Sequence, residues 1–144
     1  MNPQTPEMMS VFRDELSVIS GILEPIAEKL RINPNQPPLY QEFGQVIDRV
    51  YGTAATLGLK EVAEYCRSMK TLTYKCSQTH AVHSMSQVRD MVLVSVQLIK
   101  KVQQITNEPN QIKKIQYTLQ KERERAEEIS RKLLGAIKRT SLVT

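Results

Sequence analysis

Few residues in this chain are of types that could do chemistry. There are two histidines, His80 and His83, two cysteines, Cys66 and Cys76, and no tryptophan among 144 residues. The histidines lie in Thr79-His80-Ala81-Val82-His83-Ser84. Their spacing of three could place both imidazoles on one helix face, which is how a metal site begins. No third ligand stands nearby and the segment reads as a linker, so neither a metal nor a cofactor is expected. The cysteines are ten residues apart in a helical stretch, about 15 Å along the axis, too far for a disulfide within that helix. They are expected to be reduced and to pack as small hydrophobes, which suits a cytoplasmic protein. There is no Gly-rich phosphate loop, no His-Glu-x-x-His and no Cys-x-x-Cys. The chain reads as non-catalytic.

The most informative stretch is Val46–Leu59, Val-Ile-Asp-Arg-Val-Tyr-Gly-Thr-Ala-Ala-Thr-Leu-Gly-Leu. Its apolar face at Val46, Ile47, Val50, Ala54 and Leu57 has helical spacing. Gly52 falls in mid-helix, where glycine costs roughly 1 kcal/mol against alanine. Close approach of another surface is one reason for such a residue. Gly58 suits a helix end, where a left-handed backbone is cheap for glycine alone. Asp48, Tyr51 and Gly52 share a face, because offsets of three and four bring residues together.

The stretch resembles the signature of histidine-phosphotransfer (HPt) domains, roughly His-x-x-Lys-Gly-Ser/Thr-Ala followed by a Gly-containing turn. The similarity covers Gly52, Thr53, Ala54, Ala55, Leu57, Gly58 and Leu59 and continues as Lys60-Glu61-Val62-Ala63. Over the longer span of about residues 10–105, the resemblance implies an antiparallel four-helix bundle and a place in two-component signalling. The family's phosphorylated histidine falls on Asp48 and its lysine on Tyr51. A carboxylate here lacks the accepting role of an imidazole, since a receiver domain already supplies an acyl phosphate. The phenol of Tyr51 brings no charge at neutral pH. The resemblance therefore implies a degenerate module that engages a receiver domain or signalling kinase without phosphotransfer. The implied contact face is Asp48, Arg49, Tyr51, Gly52 and Thr56, with Tyr40 and Gln45 nearby. The residues themselves leave two readings open: Asp48 as a contact or a solvated charge, and Tyr51 as a contact anchor or a cover for the bundle edge.

The elements that must position this face can be read from apolar periodicity. Residues 1–6 form a loose leader, and the bundle is expected over 7–106. Phe12, Leu16, Ile19, Leu23, Ile26 and Leu30 form one amphipathic stripe. Gly21 and Pro25 interrupt it, and a proline inside a helix removes a backbone bond, so a kink or a break is expected there. Asn33-Pro34-Asn35-Gln36-Pro37-Pro38 is a breaker. A second helix from about Pro38 carries Leu39, Phe43, Val46, Ile47, Val50, Ala54 and Leu57. A third, from about Leu59 to Ser77, carries Val62, Ala63, Cys66, Met69, Leu72 and Cys76. The short turn between them predicts an antiparallel hairpin. Gln78–Ser84 is a polar link with Ser84 as a helix cap. A fourth helix carries Met85, Val88, Val92, Val96, Ile99 and Val102. The composition agrees with an all-α fold, because aromatics are only 5% of residues and the core must be aliphatic.

The last segment, 110–141, is a long amphipathic helix with Ile112, Ile115, Leu119, Ala126, Ile129, Leu133 and Ala136 at heptad spacing once Glu122 is admitted to the seam. It also holds the charge excess. Residues 1–109 carry 11 basic and 11 acidic side chains, and residues 110–144 carry 9 and 4. A helix of about 30 residues is about 45 Å long, enough to pair with another copy or another protein as a coiled coil. Of its nine basic residues, Lys113, Lys114, Arg131, Lys132, Lys138 and Arg139 are the first candidates for contact with a polyanion. Interleaved glutamates and the lack of a stacking platform apart from Tyr117 argue against nucleic acid. No apolar run approaches the roughly 18 residues of a membrane span. Two alternatives to the binding module remain: an oligomerising protein acting through this helix, and a phosphotransferase using His80 or His83.

Overall fold

The computed structural model describes residues 5–79, 82–106 and 108–143. Within these, the side chains at positions 82, 83, 109, 110, 112 and 136–143 lie outside the description. His80 and the side chains of His83, Ile112, Ala136, Lys138 and Arg139 therefore fall outside the described residues. Among the described residues the architecture is all-α, with five helices: α1 (Pro6–Ile32), α2 (Pro37–Thr56), α3 (Lys60–Ser77), α4 (Val82–Ile105) and α5 (Pro109–Val143).

Each boundary has a local cause. Thr5 caps α1, its side-chain oxygen accepting from the Met8 N–H at 3.2 Å, and Pro6 follows at the first turn, where a missing N–H costs nothing. Helix α1 then runs unbroken through Pro25. The break considered at Gly21–Pro25 does not occur. Pro25 and Gly21 are both exposed, so water can serve the carbonyl that proline leaves without a donor. Gly58 closes α2 with φ of 73°, the one positive φ among the described residues. Helix α4 begins at Val82 rather than after Ser84, so Ser84 lies in its first turn and is not its cap.

The apolar stripes meet in one core. Phe12, Leu16, Ile19, Leu23 and Leu30 of α1, Phe43, Ile47, Val50 and Ala54 of α2, and Cys66, Met69, Leu72 and Cys76 of α3 are fully buried. Met85, Val88 and Val92 of α4 join them. Leu39 and Val46 are only partly buried against this core. Helix α1 packs on α2 and α4, α3 packs on α2 and α4, and α5 packs on α3 and α4. Matching pairs give the directions. Asp48 meets Lys70 and Gly44 meets Thr73, so α2 and α3 are antiparallel. Glu24 pairs with Lys100, and Arg89 donates to the Arg31 carbonyl at 3.3 Å, so α1 and α4 are antiparallel. Arg123 meets Glu61 and Glu64 while Ser68 meets Glu127, so α3 and α5 run parallel.

Helix α5 is thus no free arm. Its seam residues Ile115, Leu119, Ala126, Ile129 and Leu133 are buried within the chain's own core. Glu122 is only partly buried, as its charge requires, and one of its carboxylate oxygens is shut from solvent without a hydrogen-bond partner. The stripe expected to serve a second copy is already covered by α3 and α4. The reason is that α3 and α4 each bury a second face. On α3 the extra residue is Tyr65, whose hydroxyl makes a short hydrogen bond with the buried Ser95 of α4. On α4 they are Met91, Ser95 and Leu98.

The two glycines of α2 make opposite predictions. A Cβ on Gly44 would lie 2.7 Å from the Thr73 Oγ1, whereas a Cβ on Gly52 would meet nothing within 4 Å. Thr73 has little room to yield, being buried and donating to the Met69 carbonyl at 2.8 Å. Gly52→Ala is expected to raise the free energy of unfolding by roughly 0.5–1 kcal/mol through helix propensity. Gly44→Ala is expected to lower it by about 1 kcal/mol or more, overpacking outweighing the same propensity gain. Urea unfolding of both variants beside the parent checks the signs.

Candidate functional site

The middle of α2 presents an outward ridge. Gln45, Arg49, Gly52 and Thr56 are all exposed and follow one another at offsets of four, three and four, as one helix face requires. The Thr56 hydroxyl donates back to the Gly52 carbonyl at 3.0 Å. Thr53, one position round the helix, donates to Glu15 of α1 at 3.0 Å, which ties the ridge to the neighbouring helix. Since a Cβ at Gly52 would meet nothing within 4 Å among the described residues, internal packing does not require a glycine there. Helix contact instead explains Gly44, where a Cβ would meet Thr73 and the Lys70 carbonyl of α3.

A groove flanks the ridge on each side. Toward α3, a cavity of about 320 Å³ is lined by Gln41, Gly44, Gln45, Asp48, Lys70, Thr71 and Tyr74. Toward α1, an apolar cavity of about 360 Å³ is lined by Glu7, Met8, Val11, Phe12, Thr53, Thr56 and Leu57. Asp48 and Lys70 form an ion pair across the first groove at 3.0 Å. Both side chains are nearly half exposed, with relative exposures of 43% and 49%, so the pair adds at most about 1 kcal/mol to stability. Its effect is on the field. The carboxylate at the helix centre is offset by a lysine from α3, and the groove does not present a bare negative charge to an approaching surface.

The expected face is therefore partly assembled. Gln45, Asp48, Arg49, Gly52 and Thr56 lie together at the surface. Tyr51 is partly buried and packs against the core, covering the edge of the bundle with part of its ring. Tyr40 is a correction. It is fully buried, and its hydroxyl donates to the Pro34 carbonyl at 2.5 Å, with the Met85 carbonyl at 3.0 Å. Its place on the second helix put it eight residues from Asp48, but the side chain turns inward to tie the α1–α2 loop to α4. Lys70 and Tyr74 were not anticipated. The available signal was the turn at Gly58: an antiparallel hairpin about it sets Asp48 opposite Lys70 and Gly44 opposite Thr73.

The thiols sit away from this face. Burial pushes the Cys76 thiol up to about 12 and raises that of Cys66 further still, so neither is a thiolate nucleophile at neutral pH. Among the described residues, no group of three or more His, Cys, Asp or Glu side chains could hold a metal ion. No helix among them is long and apolar enough to cross a membrane. Of the basic C-terminal set, Lys113, Lys114, Arg131 and Lys132 are exposed on α5, and Lys132 pairs with Glu128 at 3.6 Å.

No family model matches the chain, and neither a curated protein nor a solved structure does.

Proposed function

We propose that this chain is a protein-binding module similar to an HPt domain, which engages a receiver domain or a signalling kinase through the centre of α2 without passing phosphate. The observation that carries the reading is Gly52. It sits in mid-helix, exposed, with no internal neighbour that needs it small, between two grooves and beside the Asp48–Lys70 pair. A glycine that destabilises its own helix and serves no internal contact is suited to close approach from outside. We read α1–α4 as an HPt-like antiparallel four-helix bundle, a reading supported by the ring of contacts α1–α2–α3–α4–α1. Helix α5 is a fifth element laid on the side formed by α3 and α4. With a carboxylate at position 48 and a phenol at position 51, α2 supplies neither the accepting imidazole nor the neutralising ammonium of a phosphotransfer site; the one ammonium beside position 48 comes from Lys70 of α3 and is paired with the Asp48 carboxylate.

Affinity capture from an extract of the source cell, with the parent chain beside Gly52→Arg, tests the proposal. An arginine has room at this position, so thermal unfolding is expected to stay within a few degrees, roughly 1 kcal/mol of stability. The parent is expected to retain a receiver-bearing protein or kinase, and the variant to lose it. Retention of the same proteins by both baits would remove this face from consideration.

A further inference from the structure

A third groove runs between α3 and α5 and meets the α2–α3 groove at Thr71, which lines both. It has a volume of about 370 Å³ and is lined by Glu64, Arg67, Ser68, Thr71, Lys75, Glu127, Ser130 and Arg131. Arg67, Thr71 and Lys75 recur every four residues along α3, and Glu127, Ser130 and Arg131 occupy one turn of α5 alongside them.

The charges in this groove are sorted. Its two carboxylates are engaged at one end. Arg123 lies 3.9 Å from Glu64 and 3.9 Å from Glu127, and the Ser68 hydroxyl donates to Glu127 at 3.3 Å. The three cations have no such partner: among the described residues, Arg67, Lys75 and Arg131 make no ion pair, whereas Lys70, Arg123 and Lys132 all do. The floor provides an independent sign. Ser130 is 5% exposed, and its Oγ has no hydrogen-bond partner among the described residues. A buried hydroxyl without a partner forfeits about 1–3 kcal/mol, and native chains keep such groups where something else satisfies them.

We propose that the α3–α5 groove binds an oxyanion: a phosphate, or the phosphate group of a small organic ester. Two guanidinium groups and an ammonium supply the positive field, and guanidinium forks match tetrahedral oxyanions bidentately. The hydroxyls of Thr71 and Ser130 supply neutral donors. The volume lies at the lower end of the roughly 300–1,000 Å³ range of small-molecule sites. This surface is separate from the ridge on α2, so the two proposals stand or fall independently.

Isothermal titration of the full chain with inorganic phosphate and with glycerol 3-phosphate, in chloride buffer at matched ionic strength, tests the site and distinguishes the free anion from the ester. One saturable site is expected for at least one probe. Arg67→Gln with Arg131→Gln, both exposed positions, is expected to weaken it about tenfold or more, in keeping with the loss of charge-assisted hydrogen bonds. Ser130→Ala is expected to weaken it more modestly, with the fold intact. Lys113→Gln with Lys114→Gln, which removes the same charge outside the groove, is expected to leave it unchanged. The proposal is overturned if neither probe binds saturably to the parent. It is equally overturned if the groove variant binds as the parent does, or if the Lys113/Lys114 variant weakens binding as much as the groove variant.

Discussion

Replacing Leu119 and Leu133 together by alanine is expected to lower the free energy of unfolding by roughly 4–10 kcal/mol, the sum of two large-to-small core truncations. Leu119 is 1% exposed and Leu133 0%, and both sit on the α5 seam against α3 and α4. They lie fourteen positions apart, about 21 Å along the helix, so the losses should add. Natural domains hold only about 5–15 kcal/mol in total, so the double variant should be largely unfolded or lose α5 from the core. Urea unfolding followed by circular dichroism gives the energy, and amide exchange along 115–133 shows whether α5 has come away. A loss below about 1 kcal/mol would mean that α5 does not contribute to the core. That outcome would restore the reading in which this helix serves another molecule.

The second large effect is expected at high pH. Cys66, Cys76, Tyr40 and Tyr65 are all buried, and burial raises the pKa of each. Each of these acids is neutral when protonated, so the folded chain holds its proton to a higher pH than the unfolded chain does. Above the ordinary thiol pKa of about 8.5, the unfolded state binds fewer protons, and stability falls as pH rises. Each group lowers stability by about 1.4 kcal/mol per pH unit in that window. For the two thiols the loss between pH 8.5 and 10.5 is on the order of 5 kcal/mol, with the phenols adding to it above about pH 10. Below about pH 8 these groups contribute no slope. Urea unfolding at pH 7.5, 9.0 and 10.5 measures the loss. Cys66→Ala with Cys76→Ala should remove the part that begins near pH 8.5 and leave the tyrosine part. A flat profile in the parent would show that the thiols are open to solvent.

Much of the fold was legible because core-facing helices announce themselves by period. Every α1 position of the stripe from Phe12 to Leu30 is buried, and the turn at Gly58 needed only the residue that tolerates a left-handed backbone. The limits of this reading lie with polar and amphipathic side chains. Tyr40 and Tyr65 carry a hydroxyl whose burial depends on a partner from a distant element, Met85 and Ser95 respectively. No local pattern announces such a partner. The same holds for Ser84, whose type suits a cap but which lies inside α4.

The helices, their apolar stripes and the hairpin at Gly58 are written locally in the chain, because propensity, periodicity and turn chemistry are local properties. Helical geometry alone also places Asp48, Arg49, Gly52 and Thr56 on one side of one helix. Which glycine accommodates a neighbour, which cation offsets Asp48 and whether the long last helix is docked depend on contacts between distant elements. A stripe of leucines and isoleucines gains from burial against any apolar surface, because the hydrophobic effect is non-directional. Here α3 and α4 offer one within the same chain, reached without the translational entropy that pairing with a second molecule would cost.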